Sequence, residues 1–340
     1  MDAFSTLEGA PMLTPASPTI TRTRCAYIVG AYLPYGGTYM AYHLGRILQL
    51  DFGLDVIAVT LGDERAANGI FHYDVMFPDI SLASMEARIT ERDILLANPS
   101  FSDHFFGLRL PGRKIMYIQD FKTFTLLDCN FDRYVSVSRF VAEFISNVYR
   151  FRPPVICAFI ELDRLPNVEA WRARSAGSVL IHLKGHPTYR AVILERLRDA
   201  VARRAASVNL EEVIGDKPHA HADFLARLGA CRHLVSLSPA EGFGLVPLEA
   251  MAMGTTVIGF DGFGGREYMD PGRNCLVTSY PDIEGVAERL VAALDAPAFA
   301  ERLAEAGQAT AQQFGHRRFR AAWHHEFQHF LGADDEPCPT

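Results

Sequence analysis

The chain has 340 residues, 49% of them hydrophobic, and a formal net charge of -7, which allows two ordinary α/β domains, each with its own core. Acidic and basic residues are interspersed, so there is no stripe for a polyanion and nucleic acid is excluded as an expected partner. No apolar run reaches the roughly 18 residues of a membrane span, and six scattered cysteines with no C-x-x-C pair read as free thiols of a cytoplasmic protein.

Residues 1–20, rich in Pro, Ser and Thr, read as a loose tail with no signal-peptide pattern. From Cys25 onward, short apolar runs alternate with helical segments: "CAYIVGAYL", helix "TYMAYHLGRILQL", then "LDVIAVTLG", "RDILLANPS", "KIMYIQD" and "FDRYVSVS". Such strands, apolar on both faces and separated by helices, predict parallel βαβ units. Helix "RFVAEFISNVYRFR" should bury Phe140, Phe144, Ile145 and Val148 on one face. "PPVICAFI" closes a first domain over 21–165, and the polar stretch 164–178 suits an interdomain connection.

A second alternation, over 166–315, runs "VLIHLKG", a helix from Thr188, "VNLEEVIG", helix "HADFLARLGAC", "HLVSLSP", helix "VPLEAMAMG", "TTVIGFD", "NCLVTS" and further helices. Two Rossmann-like domains facing each other across a cleft follow, with ligands expected at the carboxyl ends of the strands. His219 and His221, in "KPHAHAD", read as loop residues.

The segment from Ser236 to Gly265, "SLSPAEGFGLVPLEAMAMGTTVIGFDGFGG", concentrates the chemistry. Gly242 and Gly244 permit close approach of a ligand to the backbone, and the amides of Gly242, Phe243, Gly244 and Leu245 open a helix whose unpaired N–H groups attract an anion. Pro247 is tolerated in that first turn. Glu241 and Glu249, eight residues apart, can accept hydrogen bonds from sugar and ribose hydroxyls on either side of a bound diphosphate. This pattern describes a nucleotide-sugar site.

From Glu241 to Ile258 the segment resembles the E-x7-E signature of retaining GT-B glycosyltransferases of the family 4 type, with Thr256 where that family usually has Pro. The resemblance implies that Glu241 binds the donor sugar, Glu249 the ribose and the loop amides the hexose and β-phosphate. Gly264, Gly265 and Glu267 match the following G-G-x-x-E, and Gly36 and Gly37 match a glycine-rich loop after the first strand.

The family's basic pair, G-R-x5-K, is altered: Lys184 falls near the Arg position and Arg190 near the Lys position, with His186 as an added candidate. Gln119 and Asp120 align with the family's common His-Asp pair in the N-domain cleft, and glutamine cannot shuttle a proton. Ser138 aligns with a Ser ending an N-domain strand and reads equally as a structural turn. The Gln-Asp pair and "HPTYR" also give a weaker likeness to bacterial surface-glycan rhamnosyltransferases.

The implied activity is retaining transfer of a hexose from a nucleotide-diphosphate sugar to a glycan, lipid-linked or small-molecule acceptor. Glu241, Lys184 and Arg190 would be the catalytic set, and electrostatics would do most of the work. Peripheral membrane contact stays open. No cofactor is implied, and with no Asp-x-Asp anywhere no metal is expected. The alternatives are a non-catalytic sugar-nucleotide-binding subunit, or another GT-B enzyme such as a phosphorylase or an epimerase.

The chain closes on "HEFQHFLGADD", which fits the spelling of a zinc-peptidase helix, H-E-x-x-H-x-x-G-x-x-D, at His325, Glu326, His329 and Asp335. Phe319, Trp323, Phe327 and Leu331 recur every four residues and predict a buried stripe on helix 316–331. At 3.6 residues per turn His325 and His329 point away from that stripe, and no Met follows Met269 to supply a Met-turn. The expectation is a solvated histidine face on a helix that, by resemblance, packs back on the first domain.

Overall fold

The computed structural model describes residues 24–32, 36–62, 73, 76–204, 208–214 and 221–332. The expected tail, His219, Asp335 and Cys338 lie outside the described residues.

Two separate parallel sheets organise the chain. The first contains β1 (Cys25–Val29), β2 (Asp55–Thr60), β3 (Asp79–Ser81), β4 (Ile94–Ala97), β5 (Arg113–Ile118) and β6 (Arg133–Ser136), in the order β3-β2-β1-β4-β5-β6. β1 and β4 are buried along their whole length, as strands covered on both faces must be. Helices α1 (Gly36–Phe52), α2 (Leu82–Glu86), α3 (Phe106–Arg109) and α4 (Arg139–Tyr149) connect them. The short β3 and α2 were not foreseen: three residues at a sheet edge, none of them buried, carry no apolar run.

The second sheet contains β7 (Ser178–Leu183), β8 (Asn209–Ile214), β9 (His233–Ser236), β10 (Thr256–Phe260) and β11 (Leu276–Thr278), in the order β11-β10-β9-β7-β8. Its helices are α5 (Pro187–Ala202), α6 (His221–Ala230), α7 (Leu245–Ala252), α8 (Ile283–Asp295) and α9 (Pro297–Ala311). Strand order reverses beside β1 in the first sheet and beside β7 in the second. At such switch points neighbouring crossovers lie on opposite faces, which opens a crevice at the carboxyl ends of the strands.

The last helix, α10 (His316–Gly332), covers the first sheet. Its buried face is Phe319, Trp323, Glu326, Phe327 and Phe330. Trp323 meets Tyr117 of β5 edge-on at 5.0 Å between centroids, and Arg320 and His324 both reach Asp51 at the end of α1. Three residues of the predicted stripe, Phe319, Trp323 and Phe327, are buried, but Leu331 is only partly buried, Phe330 takes its place, and the face includes one acid. Glu326 pairs with Arg133 of β6, accepting from Nε and, at 3.0 Å, from Nη2. His325 and His329 are exposed and touch each other, with ring centroids 4.5 Å apart.

The glutamate that a zinc peptidase would aim at a metal-bound water is therefore spent on a structural ion pair. Among the described residues no three His, Cys, Asp or Glu side chains gather around a common point. Glu326→Ala should lower unfolding free energy in urea by about 2 kcal/mol, because Arg133 and the helix lose a half-buried pair. His325→Ala and His329→Ala should each cost less than about 0.5 kcal/mol. The reverse ranking would contradict this packing.

One expectation from periodicity is corrected. On α4 the buried residues are Val141, Ala142 and Ile145, while Val148 is exposed. Phe140 and Phe144 turn instead to Phe121, and Phe140 stacks on Phe263 of the second lobe at 5.0 Å. The polar stretch 164–178, read as an interdomain connection, is packed on the second lobe. Trp171 donates to the Arg232 carbonyl, and the buried Arg174 guanidinium donates to the carbonyls of Cys231 and Met253 and to the Thr255 hydroxyl. Its polarity satisfies backbone carbonyls of the second lobe.

Candidate active site

The second-lobe switch point lies between β7 and β9, and both strands deliver charge there. Lys184 follows β7, and Glu241 follows β9 across a short loop. Lys184 Nζ donates to Glu241 Oε1 at 3.0 Å and to Oε2 at 3.2 Å. Burial pushes the Glu241 carboxyl upward, but the ammonium groups of Lys184 and Lys122 outweigh it and hold the carboxyl below its ordinary range. Glu241 is thus an anion held ready as an acceptor.

The Glu241 backbone is also fixed. Its N–H donates to the Gly262 carbonyl at 2.7 Å, and its carbonyl accepts from the Gly264 N–H at 3.1 Å. This bridge ties the G-G-x-x-E segment to the glutamate.

α7 then begins. Gly244 caps it with φ +88, a left-handed conformation that disfavours any side chain. Its carbonyl accepts from the Tyr268 hydroxyl. Among the described residues, the amides of Gly242, Phe243, Gly244 and Leu245 donate no hydrogen bond. A helix start with this many unused donors is an anion site in waiting. The Phe243 side chain points away into the core, against Tyr268 and Phe314.

Gly242 also has a packing task that its sequence neighbourhood does not signal. A Cβ there would lie 1.9 Å from the Gln119 carbonyl oxygen and 2.9 Å from Asp120 Cα. The missing side chain therefore admits the first lobe, while the Gly242 amide stays with the other three at the helix start. Ser138 confirms the contact, donating to the Gly242 carbonyl at 2.7 Å while its Oγ accepts from the Val141 amide and caps α4. Glu267 accepts from the Arg139 amide at 2.9 Å and pairs with its guanidinium, a second tie between the lobes.

On the opposite wall, Gly36 and Gly37 open α1 at the first-lobe switch point. A Cβ on Gly36 would approach Leu245 Cδ1 at 2.9 Å, so the starts of α1 and α7 face each other. Gln119 donates to the Gly37 carbonyl at 3.3 Å and so anchors that helix start. Asp120 accepts from the amides of Lys122 and Thr123 and shapes the turn after β5. Both are structural contacts, and they give the glutamine a use as a backbone anchor.

The remaining basic candidates separate. His186 caps α5, its Nδ1 accepting from the Thr188 amide at 3.3 Å. Arg190 is half-buried in the first turn of α5, and no contact among the described residues joins it to Glu241. Of the expected basic pair, the structure brings only Lys184 to the glutamate.

Two residues escaped the sequence reading. Lys122 reaches from the first lobe to the Ala240 carbonyl at 2.6 Å. His221 is no loop residue: it opens α6, and its Nε2 lies 2.9 Å from Oε1 of the buried Glu249. Nothing in "KPHAHAD" signals this pairing, which joins positions 28 residues apart.

The hydrogen bond to Glu249, opposed in part by burial, raises the His221 pKa above its ordinary value. The pair's contribution to stability is then complete below the ordinary imidazole pKa of about 6.5 and lost as pH rises through the raised value. His221→Ala should accordingly lower the Tm more at about pH 5.5 than at about pH 9. A Tm gap that does not vary with pH would refute the pairing.

Comparison with known proteins agrees with this geometry. Residues 186–310 match the family model "Glycosyl transferases group 1". No curated protein sequence matches the chain. Among solved structures, sucrose-phosphate synthase from Thermosynechococcus elongatus is similar at 14% identity and a TM-score of 0.71, over 91% of this chain and 100% of that one. HepE of Anabaena, in complex with UDP and glucose, is similar at 13% identity and a TM-score of 0.69, over 92% and 100%. A glycosyltransferase from Rickettsia africae gives 12% identity and a TM-score of 0.66, over 91% and 99%. The fold is GT-B, two Rossmann-like units facing across a cleft, and the stretch similar to the glycosyl transferases group 1 model lies in the second unit. None of the described helices is long and apolar enough to cross a membrane.

Proposed function

We propose that this protein is a retaining glycosyltransferase that moves a hexose from a nucleotide-diphosphate sugar to a glycan, lipid-linked or small-molecule acceptor. The observation that carries the reading is the start of α7: four amides that donate no hydrogen bond, beside an ionised Glu241 held by Lys184 and one helix face from the buried Glu249. The amides receive the diphosphate. Glu241 accepts from the donor sugar's hydroxyls and Glu249 from the ribose diol.

Bond breaking at the anomeric carbon leaves charge on the diphosphate, where the helix start and Lys184 stabilise it. The departing oxygen takes the acceptor's proton, so no metal or protein nucleophile is assigned. That HepE is found with UDP and glucose supports a nucleotide-sugar ligand in a fold of this kind.

A thermal-shift panel of UDP-, GDP-, ADP- and dTDP-sugars tests the reading. A rise in Tm with one nucleotide, abolished by Glu249→Gln, is expected. No shift with any would sink it.

A second reading, a sugar-nucleotide-binding subunit without turnover, is favoured by Gln119 serving as a backbone anchor and by Arg190 standing apart from the pair. Donor hydrolysis without acceptor separates the two: turnover supports the enzyme, tight binding with none supports the subunit.

A further inference from the structure

The Glu241–Lys184 pair does not by itself balance the charge of a diphosphate. Lys184 neutralises Glu241 at 3.0 Å, leaving that pair with no net charge. A nucleoside diphosphate brings two or three negative charges, and the helix start offers about half a positive one. Arg190 is not joined to the pair among the described residues. A further cation next to the pair would offset more of that charge.

Lys122 is placed to supply it. Asp120 Oδ1 accepts from the amides of Lys122 at 3.0 Å and Thr123 at 2.9 Å, which fixes the turn after β5. The same carboxylate accepts from the Thr123 hydroxyl. From this turn the lysine crosses the cleft to the Ala240 carbonyl, 2.6 Å away and one residue before Glu241. The residue is exposed. One of its three ammonium donors is used on a neutral carbonyl, which leaves two for an anion.

We propose that Lys122 is a donor-phosphate-contacting residue contributed by the first lobe, adding its charge to that of Lys184 and the α7 start. The assignment rests on the reading of the α7 start as the donor site. In that reading the diphosphate is gripped from both sides of the cleft, so binding the donor also holds the lobes together. The electrostatics point the same way: after burial, Lys184 and then Lys122 have the largest effects on the Glu241 carboxyl. A lysine whose function ended at the Ala240 carbonyl would need no charge and would not discriminate between nucleotides.

Calorimetric titration of the full chain with UDP, GDP, ADP and dTDP, and with the matching monophosphates, tests this. The base that wild type binds best is carried forward. Lys122→Met should weaken the diphosphate about tenfold or more and the monophosphate much less, and Lys122→Arg should restore part of the difference. Equal weakening of both nucleotides, or none, overturns the assignment and leaves Lys122 a lobe tie. Lys184→Met and Glu249→Gln run in parallel to report on the underlying reading. If neither changes nucleotide binding, or if wild type binds none of the panel, the donor-site reading falls and this inference with it. If both weaken binding while Lys122→Met does not discriminate, only the inference falls.

Discussion

Replacing Lys184 with Met is expected to reduce kcat/KM for the donor by about 10²–10³-fold, the usual cost of removing one preorganised group from the charge that develops on a leaving group. Two effects act together. The diphosphate loses its second-lobe ammonium, and Glu241 loses the partner whose hydrogen bonds at 3.0 and 3.2 Å hold its carboxylate in place. With that cation gone, burial raises the Glu241 pKa against only Lys122 and His182, and its carboxylate is no longer fixed in place. A less firmly held acceptor meets sugar hydroxyls less well, so donor affinity should fall along with turnover.

Lys184→Arg should keep a substantial part of the activity, because a guanidinium supplies the same charge with a fork suited to phosphate. Stability should change by only about 1–3 kcal/mol, and a urea titration beside the kinetics keeps folding and chemistry apart. Near-wild-type kcat/KM in Lys184→Met would remove this lysine from the mechanism.

How much of this could be read in advance depended on whether the signal was local. Strand β9, the loop, α7 and β10 are contiguous, so the apolar runs, the two glycines and the eight-residue spacing of Glu241 and Glu249 were all visible. The contacts that close the cleft were not. Ser138 meets Gly242 across 104 residues of sequence, Lys122 meets Ala240 across 118, and Arg139 meets Glu267 across 128. Nothing in a residue's own neighbourhood says which distant backbone it will touch.

The aromatic face of α4 misled for the same reason. Phe140 and Phe144 have helical spacing fit for a core, but they lie in a seam with Phe121 and Phe263 that exists only when both lobes are present. The terminal H-E-x-x-H shows the converse. Its spelling is local, but its meaning depends on which way Glu326 faces, and that is set by Arg133, 193 residues away.

Gly242 gives the sharpest test of the seam. A Cβ at this position would sit 1.9 Å from the Gln119 carbonyl oxygen, 2.7 Å from its carbonyl carbon and 2.9 Å from Asp120 Cα. All three are backbone atoms, and no side-chain rotamer can relieve the clash. Gln119 cannot retreat freely either, because its side chain holds the Gly37 carbonyl and its neighbour Asp120 holds the turn. The strain is relieved by separating the lobes, which sacrifices the Ser138 bond to Gly242 and the Lys122 bond to Ala240 together.

Gly242→Ala should therefore lower turnover by about 100-fold or more, equivalent to roughly 3 kcal/mol or more of lost transition-state stabilisation, while circular dichroism still reports both lobes folded. Solution scattering should show a larger radius of gyration. Two controls isolate the cause. Gly177→Ala, where a Cβ would meet nothing within 4 Å, should be silent. Ser138→Ala, which removes the bond to Gly242 and the α4 cap without adding bulk, should cost about 2 kcal/mol of stability and leave the dimensions unchanged. If Gly242→Ala keeps both wild-type turnover and wild-type dimensions, the close approach of Gln119 to this glycine is not what assembles the site.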